Sequence, residues 1–193
     1  MNRIKCNLTS ILCVIGLISI ILSCSENIPP KQEKPVSKPP SKTEREIIED
    51  IRKEFTLINN NTTNYRRVEK TLLAYEDGGE NLEAYFEGNK FRKIVYKGYG
   101  FTIQAVEEYY YWSSGSLFFV FKKEERYEPI PPDFIDTELA EVKENRYYFH
   151  NNKLIRWLDE NKRQVSKNDP QFSRAQRNIL NDSNNYILKA KSK

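Results

Sequence analysis

The stretch YFEGNKFRKI at residues 85–94 decides the fold, because its pattern returns as YWSSGSLFFV at 111–120 and YFHNNKLIRW at 148–157. Each copy begins with two aromatic residues, continues through a turn of Gly, Asn or Ser, and resumes with Phe91, Leu117 or Leu154. Aromatic residues pack across paired strands, and small polar residues tolerate the positive φ of a tight turn. The copies are unevenly spaced, which excludes a strict solenoid. We therefore predict three β-hairpins of one antiparallel meander.

The strand pattern extends from Arg67 to about Asp159, with Tyr, Phe, Val and Ile interrupted by turn residues. The exception is the segment 128–135, whose prolines cannot donate to a strand ladder and which is predicted to be a loop. After it, Thr137 to Lys143 is predicted to form a short helical turn. Within the loop, Phe134 and Ile135 either plug the edge of the sheet, which we favour, or offer a contact surface.

A helix is predicted on each side of the strands. Ser41 and Glu44 fit a capping box at the start of the first helix, and Asn59-Asn60-Asn61 is expected to end it. Between them, an apolar stripe at helical spacing is formed by Ile47, Ile48, Ile51, Phe55 and Ile58. A second amphipathic helix is predicted from Gln171 to about Ala190, with Phe172, Ala175, Ile179, Tyr186 and Ile187 on its apolar stripe. The predicted class is α+β: an antiparallel β-meander of about six or seven strands built from hairpins, flanked by an N-terminal and a C-terminal helix. Both helices are expected to cover one face of the sheet.

The first 24 residues have the form of an export signal. Arg3 and Lys5 provide a positive start, an apolar run follows, and Ser23 precedes Cys24. The run holds about a dozen residues, whereas a permanent span needs roughly 20. A short transmembrane anchor and an ordinary secretory signal with an incidental Cys24 are the alternatives. The ending Ile21-Leu22-Ser23-Cys24 resembles the lipobox of bacterial lipoproteins, in the looser form seen in Bacteroidota and spirochaetes.

That resemblance implies that residues 1–23 are a signal peptide and that Cys24 carries a diacylglycerol, usually with a further acyl chain such as palmitate. Residues 24–42 would form a tether rich in Pro, Lys and Ser, and residues 43–193 a single α+β domain. All the cysteines lie at or before Cys24, so the mature chain would have no disulfide. Because Ser25 rather than Asp follows the cysteine, the resemblance favours the outer membrane, with the periplasmic and surface faces both open.

The charge balance excludes an electrostatic footprint for nucleic acid. The chain has 31 basic and 27 acidic residues, a net charge of +4. The leader contains two basic residues and no acidic one, so its removal leaves 29 against 27. Charges of both signs are interspersed, as on an ordinary solvated surface.

The sequence shows no catalytic or metal-binding motif. His150 is the single histidine and is expected to be exposed before a hairpin turn. The neighbouring carboxylates Glu107 and Glu108 should point to opposite faces of a strand, as should Glu124 and Glu125, so neither pair forms an acid/base dyad. Asp133, Asp136 and Glu138 could form a weak calcium cluster, but their spacing matches no EF-hand loop. We expect no enzyme activity, metal or cofactor.

The densest aromatic run is Tyr109, Tyr110, Tyr111 and Trp112. Alternation places one pair of these residues in the core and the other pair outside, where exposed rings beside arginines would bind protein or glycan. Phe134 joins them as a candidate partner-binding residue. The alternative, which we favour, is cross-strand pairing that stiffens the sheet.

These observations favour a lipid-anchored, non-catalytic binding or accessory protein of the cell envelope. It would be held on the membrane through Cys24 and bind a protein or glycan partner. The second hypothesis is an inhibitor or immunity-type lipoprotein that blocks one periplasmic enzyme.

Overall fold

The computed structural model describes residues 42–76, 78–131 and 136–192. Their elements, in chain order, are α1 (Glu44–Asn60), a short 3-10 helix (Thr62–Asn64), β1 (Arg66–Tyr75), β2 (Gly78–Glu87), β3 (Lys90–Tyr99), β4 (Ile103–Tyr111), β5 (Leu117–Pro129), β6 (Thr137–His150), β7 (Lys153–Leu158) and α2 (Pro170–Lys191). The strands form one antiparallel sheet in sequence order. The predicted α+β meander with a helix at each end is confirmed. Cys24 and the tether up to Ser41 lie outside the described residues, as do Asp133, Phe134 and Ile135.

The three predicted hairpins are confirmed as the β2–β3, β4–β5 and β6–β7 connections. Their turns use residues that accept a positive φ: Gly88 at 60°, Gly115 at 90°, and Asn151 and Asn152 at 49° and 59°. The two successive positive values at Asn151 and Asn152 are what a type I′ turn requires, and its twist matches that of the strands it joins. The residues within each turn therefore determine where these three connections form.

The predicted helical turn over Thr137 to Lys143 is wrong, because these residues begin strand β6. They pair with the end of β5, from Pro129 opposite Thr137 to Glu124 opposite Lys143. Residues such as Glu, Leu, Ala and Lys have a local preference for helix, but pairing with a long neighbouring strand overrides it.

The predicted capping box of α1 is also wrong in position. Thr43, not Ser41, is the N-cap residue: its Oγ1 accepts from the backbone N–H of Glu46 at 3.3 Å, and Glu46 Oε2 accepts from the Thr43 N–H at 2.7 Å. The same S/T-x-x-E pattern occurs twice in overlapping positions, and the second one caps the helix. The predicted end of α1 at the asparagines is confirmed.

The two helices cover opposite faces of the sheet, not one face as predicted. Ile48, Ile51 and Ile58 of α1 pack in one core, with Tyr110, Phe118, Phe119 and Tyr148 of the sheet. Phe172, Ile179 and Ala190 of α2 pack in the other, with residues that include Leu82, Ile94, Tyr109, Tyr111 and Val120. Successive strand residues point to opposite faces, so a continuous apolar run in a central strand needs a cover on both sides. The fold is a three-layer α/β/α arrangement.

Each helix crosses the strands from β7 towards the other edge. On one face, Glu44 at the start of α1 pairs with Arg156 of β7, and Asn59 near its end accepts from Lys93 of β3. On the other face, Gln176 of α2 accepts from the Leu154 N–H of β7, whereas Ser192 accepts from Lys70 of β1. Both helices thus span most of the width of the sheet.

The helices cover only one half of the strand length. In β5 the first four residues are buried and later ones become exposed, and in β6 burial is confined to the last residues. We call the covered half, with the turns at Gly88, Gly115 and Asn151, the closed end. The opposite half, with the β1–β2, β3–β4 and β5–β6 connections, is called the open end.

This arrangement predicts comparable losses of stability from the two helices. Ile51→Ala in α1 and Ile179→Ala in α2 each empty a buried site and should lower the free energy of unfolding by about 2–5 kcal/mol. Leu57→Ala, at a position of α1 that is 52% exposed, should change it by less than about 0.5 kcal/mol. Urea denaturation measures all three, and an Ile179→Ala protein as stable as the Leu57→Ala protein would contradict the two-sided core.

Candidate binding surface

The aromatic run that the sequence singled out lies inside the protein. Tyr109, Tyr110 and Tyr111 are 0%, 0% and 1% exposed, and Trp112 is half-buried. The expectation that one pair of this run lies outside is wrong, because a helix covers each face of β4 at the closed end. The three tyrosines therefore form no docking patch, and cross-strand packing accounts for them.

The hydroxyl groups of these tyrosines are bound within the fold. Tyr109 donates to Glu107 and Tyr110 donates to Glu108, each at 2.6 Å, while the Tyr111 hydroxyl lies 2.9 Å from that of Ser183 in α2. In each of the first two pairs the carboxylate precedes its tyrosine by two residues, so both side chains lie on the same face of β4.

The carboxylates of β4 are further neutralised by lysines. Glu107 pairs with Lys122 at 2.9 Å on the α2 side, and Glu108 pairs with Lys93 at 3.0 Å on the α1 side. The two acids thus point to opposite faces, as predicted. Each carboxylate stabilises a strand pair and holds a buried tyrosine hydroxyl.

The remaining candidates for chemistry are dispersed. His150 is half-buried at the end of β6, where its Nε2 lies 3.2 Å from the Asn151 side-chain nitrogen. Across residues 42–76, 78–131 and 136–192, no group of three His, Cys, Asp or Glu side chains could hold a metal ion. Of the acids considered for calcium, Asp133 lies outside these ranges.

The open end carries most of the exposed apolar surface. In the described part of the chain, ten large hydrophobic side chains are exposed, and eight of them lie on the strands and connections of this end. We call these eight the open-end surface: Leu73, Tyr75, Tyr99, Phe101, Ile103, Ile130, Leu139 and Val142, with exposed fractions from 38% to 63%. Exposed apolar side chains that gather in one region of a protein often mark a binding surface.

Strand pairing places Tyr75 and Tyr99 at the same end but on opposite faces of the sheet. Tyr75 of β1 lies opposite Gly78 of β2, and Gly79 lies opposite Tyr99 of β3. The Tyr99 ring lies over Gly79, where a Cβ would approach its hydroxyl to 2.8 Å. The glycine therefore lets the tyrosine lie flat across the neighbouring strand.

The β3–β4 connection extends this surface towards β6. Gly100 N–H donates to the Ile103 carbonyl at 2.8 Å, and the Tyr127 N–H of β5 donates to the Thr102 carbonyl at 2.9 Å. Tyr127 in turn lies opposite Leu139 of β6. Six of the eight side chains thus lie on strands, and the connection that carries Phe101 is hydrogen-bonded to β4 and β5, which preorganises these groups for contact.

Paired charges accompany the apolar residues. Arg126 lies 3.3 Å from Glu124 and 4.0 Å from Glu141, and Lys143 lies 2.9 Å from Glu141. An apolar patch with a polar, solvated rim is the usual anatomy of a protein–protein interface. The sequence contained one signal for it: Tyr99 and Phe101 alternate with Gly98 and Gly100 at a turn, where polar residues are the rule.

No protein-family model, curated protein or solved structure matches this chain. Within the described residues, neither helix has the length and apolar character needed to cross a membrane.

The buried tyrosines predict a loss of stability at alkaline pH. Burial, reinforced at Tyr109 and Tyr110 by the adjacent carboxylates, raises the pKa of Tyr109, Tyr110 and Tyr111 above the ordinary value. A raised pKa means that the folded state holds the proton more tightly. The stabilisation is complete below about pH 10, the pKa of an unfolded tyrosine, and is lost as pH rises above it.

Ultraviolet titration of tyrosinate tests this prediction. The exposed tyrosines should ionise first, and the buried ones should ionise only together with cooperative unfolding seen by circular dichroism. Ionisation of all 12 tyrosines in a single step while the protein stays folded would contradict the burial of this run.

Proposed function

We propose that the chain is a lipid-anchored, non-catalytic binding protein of the bacterial envelope that holds a partner protein against its open-end surface. The observation that carries the proposal is the concentration of eight exposed, large hydrophobic side chains at one end of the sheet. Tyrosine and phenylalanine are typical of the residues that anchor protein interfaces. Here Tyr75, Tyr99 and Phe101 would be the anchors.

The membrane part of the proposal is supported by the leader sequence. A positive start, a short apolar run and Ser23-Cys24 resemble a lipoprotein signal, and acyl chains contribute about 0.8 kcal/mol per buried methylene to membrane binding. We propose that Cys24 carries the lipid and that the protein resides on the outer membrane, at its periplasmic or surface face.

The point where the chain enters the domain supports an outward-facing open end. Lys42 lies in the groove beside Ser114 and Asn151, at the closed end of the sheet. β5 has 13 residues, so the open end lies roughly 40 Å away along the strands. A tether that arrives at Lys42 would leave the open-end surface free to meet a partner.

The use of the carboxylates supports a non-catalytic role. Glu107 and Glu108 each accept from a tyrosine and pair with a lysine, and Glu83 accepts from both Lys97 and Tyr85. A catalytic acid or base needs a free proton-transfer partner in a cleft. These carboxylates instead have protein partners on the sheet.

Membrane attachment predicts a clear effect of Cys24→Ala. The protein that keeps Cys24 should sediment with membranes and show the mass of the mature chain plus lipid. The Cys24→Ala protein should lose the lipid mass and leave the membrane fraction. Membrane attachment that is unchanged by this substitution would contradict lipidation at Cys24 and favour a different anchor.

Partner capture should depend on the open-end surface. We expect chemical crosslinking in intact cells, followed by mass spectrometry, to recover one dominant protein partner of the anchored chain. Combining Tyr75→Ser, Phe101→Ser and Leu139→Ser removes three exposed apolar side chains and should reduce the recovered partner at least about ten-fold, a change of roughly 1.4 kcal/mol in binding. Because these positions are exposed, the variant should keep its fold.

Leu188→Ser is the matched control, since Leu188 is the most exposed large hydrophobic residue in the described ranges, at 66%, and lies on α2. Equal partner recovery from the triple variant and this control would contradict a docking role for the open end.

If the partner is an enzyme and the added protein stops its activity in a one-to-one complex, the inhibitor or immunity-type hypothesis would be preferred over an accessory role.

A further inference from the structure

A polar groove lies at the closed end, between α1 and the turns of the β4–β5 and β6–β7 hairpins. Its volume is about 480 Å³. Asp50 and Lys53 of α1 line it from the helix, and Ser114, Ser116 and His150 line it from the hairpins. None of these residues belongs to the open-end surface, so a ligand in the groove would bind separately from the partner proposed above.

Trp112 gives the groove a flat apolar face. The backbone N–H of Trp112 donates to the Ser116 carbonyl at 2.9 Å, and its ring packs against Phe118 with centroids 4.5 Å apart. The indole is therefore held in place while it remains half exposed. Its N–H has no acceptor among the described residues, whereas the indole N–H of Trp157 donates to Asn145 at 2.9 Å. Trp112 thus offers a fixed ring face and a free donor.

The charges in the groove cancel. Its lining contains two lysines and two carboxylates: Lys42, Lys53, Asp50 and Glu54. Asp50 already pairs with Lys42 at 2.6 Å, and Glu54 pairs with Arg92. A balanced lining favours neither an anion such as phosphate nor a free cation. Apart from Trp112, Ile47 is the one apolar side chain of the lining, which is too little for a lipid or an apolar peptide.

The polar groups are arranged in adjacent pairs. The Ser114 and Ser116 hydroxyl oxygens lie 3.2 Å apart, and the Asn151 and His150 side-chain nitrogens also lie 3.2 Å apart. Hydroxyl groups both donate and accept, the Lys53 ammonium donates, and the Asp50 carboxylate accepts. A ligand that matches this lining must carry several neighbouring groups that each donate and accept, together with one apolar face.

We propose that the groove binds a neutral pyranose unit of a glycan. The carbon–hydrogen face of the sugar ring would lie on Trp112, and its hydroxyls would bond to Asp50, Lys53 and the serine hydroxyls. The volume lies within the roughly 300–1,000 Å³ of ordinary ligand sites and suits one or two sugar rings.

Intrinsic fluorescence of the full chain tests this proposal, because the sequence has two tryptophans. In a Trp157→Phe protein, held in a detergent that contains no sugar, Trp112 is the sole indole. The probes are maltotriose, cellotriose and the trimer of N-acetylglucosamine, with trigalacturonate as the acidic comparison. We expect a saturable change in Trp112 emission with at least one neutral trisaccharide and a markedly weaker response to trigalacturonate.

Helix-surface variants keep the test independent of folding. Asp50→Asn and Lys53→Gln, made in the Trp157→Phe protein, should weaken binding of the responding trisaccharide about ten-fold. Arg52→Gln, at an exposed position of α1 outside the groove lining, should leave binding unchanged. The proposal is overturned if none of the neutral trisaccharides changes the emission, if trigalacturonate binds as well as they do, or if Arg52→Gln weakens binding as much as Lys53→Gln.

Discussion

Burial of the central strands on both faces is the constraint on which the rest of the structure depends. At the closed end, β4 and β5 carry apolar side chains at successive positions, so each face must be covered by its own helix. α1 and α2 meet this need by crossing the sheet on opposite sides. The same constraint explains why Tyr109, Tyr110 and Tyr111 are all buried, and why each hydroxyl needs a partner within the fold.

The two helices cover only about one half of the strand length, and this partial cover divides the molecule into two ends. The covered end holds both cores, the entry of the chain at Lys42 and the groove at Trp112. The uncovered end is a bare two-sided sheet whose strand ends carry aromatic and aliphatic side chains in place of the usual polar ones. The tethered binding protein proposed above would benefit from this division, because attachment and recognition would occur at opposite ends.

The sequence predicted what local chemistry determines. Residues that accept a positive φ indicated the hairpins at Gly88, Gly115 and Asn151. The apolar stripe of α2 predicted the start and end of that helix within one residue. The prediction that both helices cover one face of the sheet was wrong, although the run Leu117–Val120 already indicated two-sided burial. The strand at Thr137 was missed because its partner strand, not its own propensity, determines it. The open-end surface was missed because strand register, and not local sequence, places residues as distant in the chain as Tyr75 and Leu139 at the same end of the sheet.

Hydroxyl-radical footprinting tests the central claim, that the open end is the surface at which the protein meets its partner, most directly. The extent of oxidation of Tyr75, Tyr99 and Phe101 would be compared between purified protein and native membranes, with Leu188 as the exposed reference on α2. We predict that these three aromatic residues become protected in native membranes while Leu188 stays reactive. Equal oxidation of the open end in both samples would contradict the account.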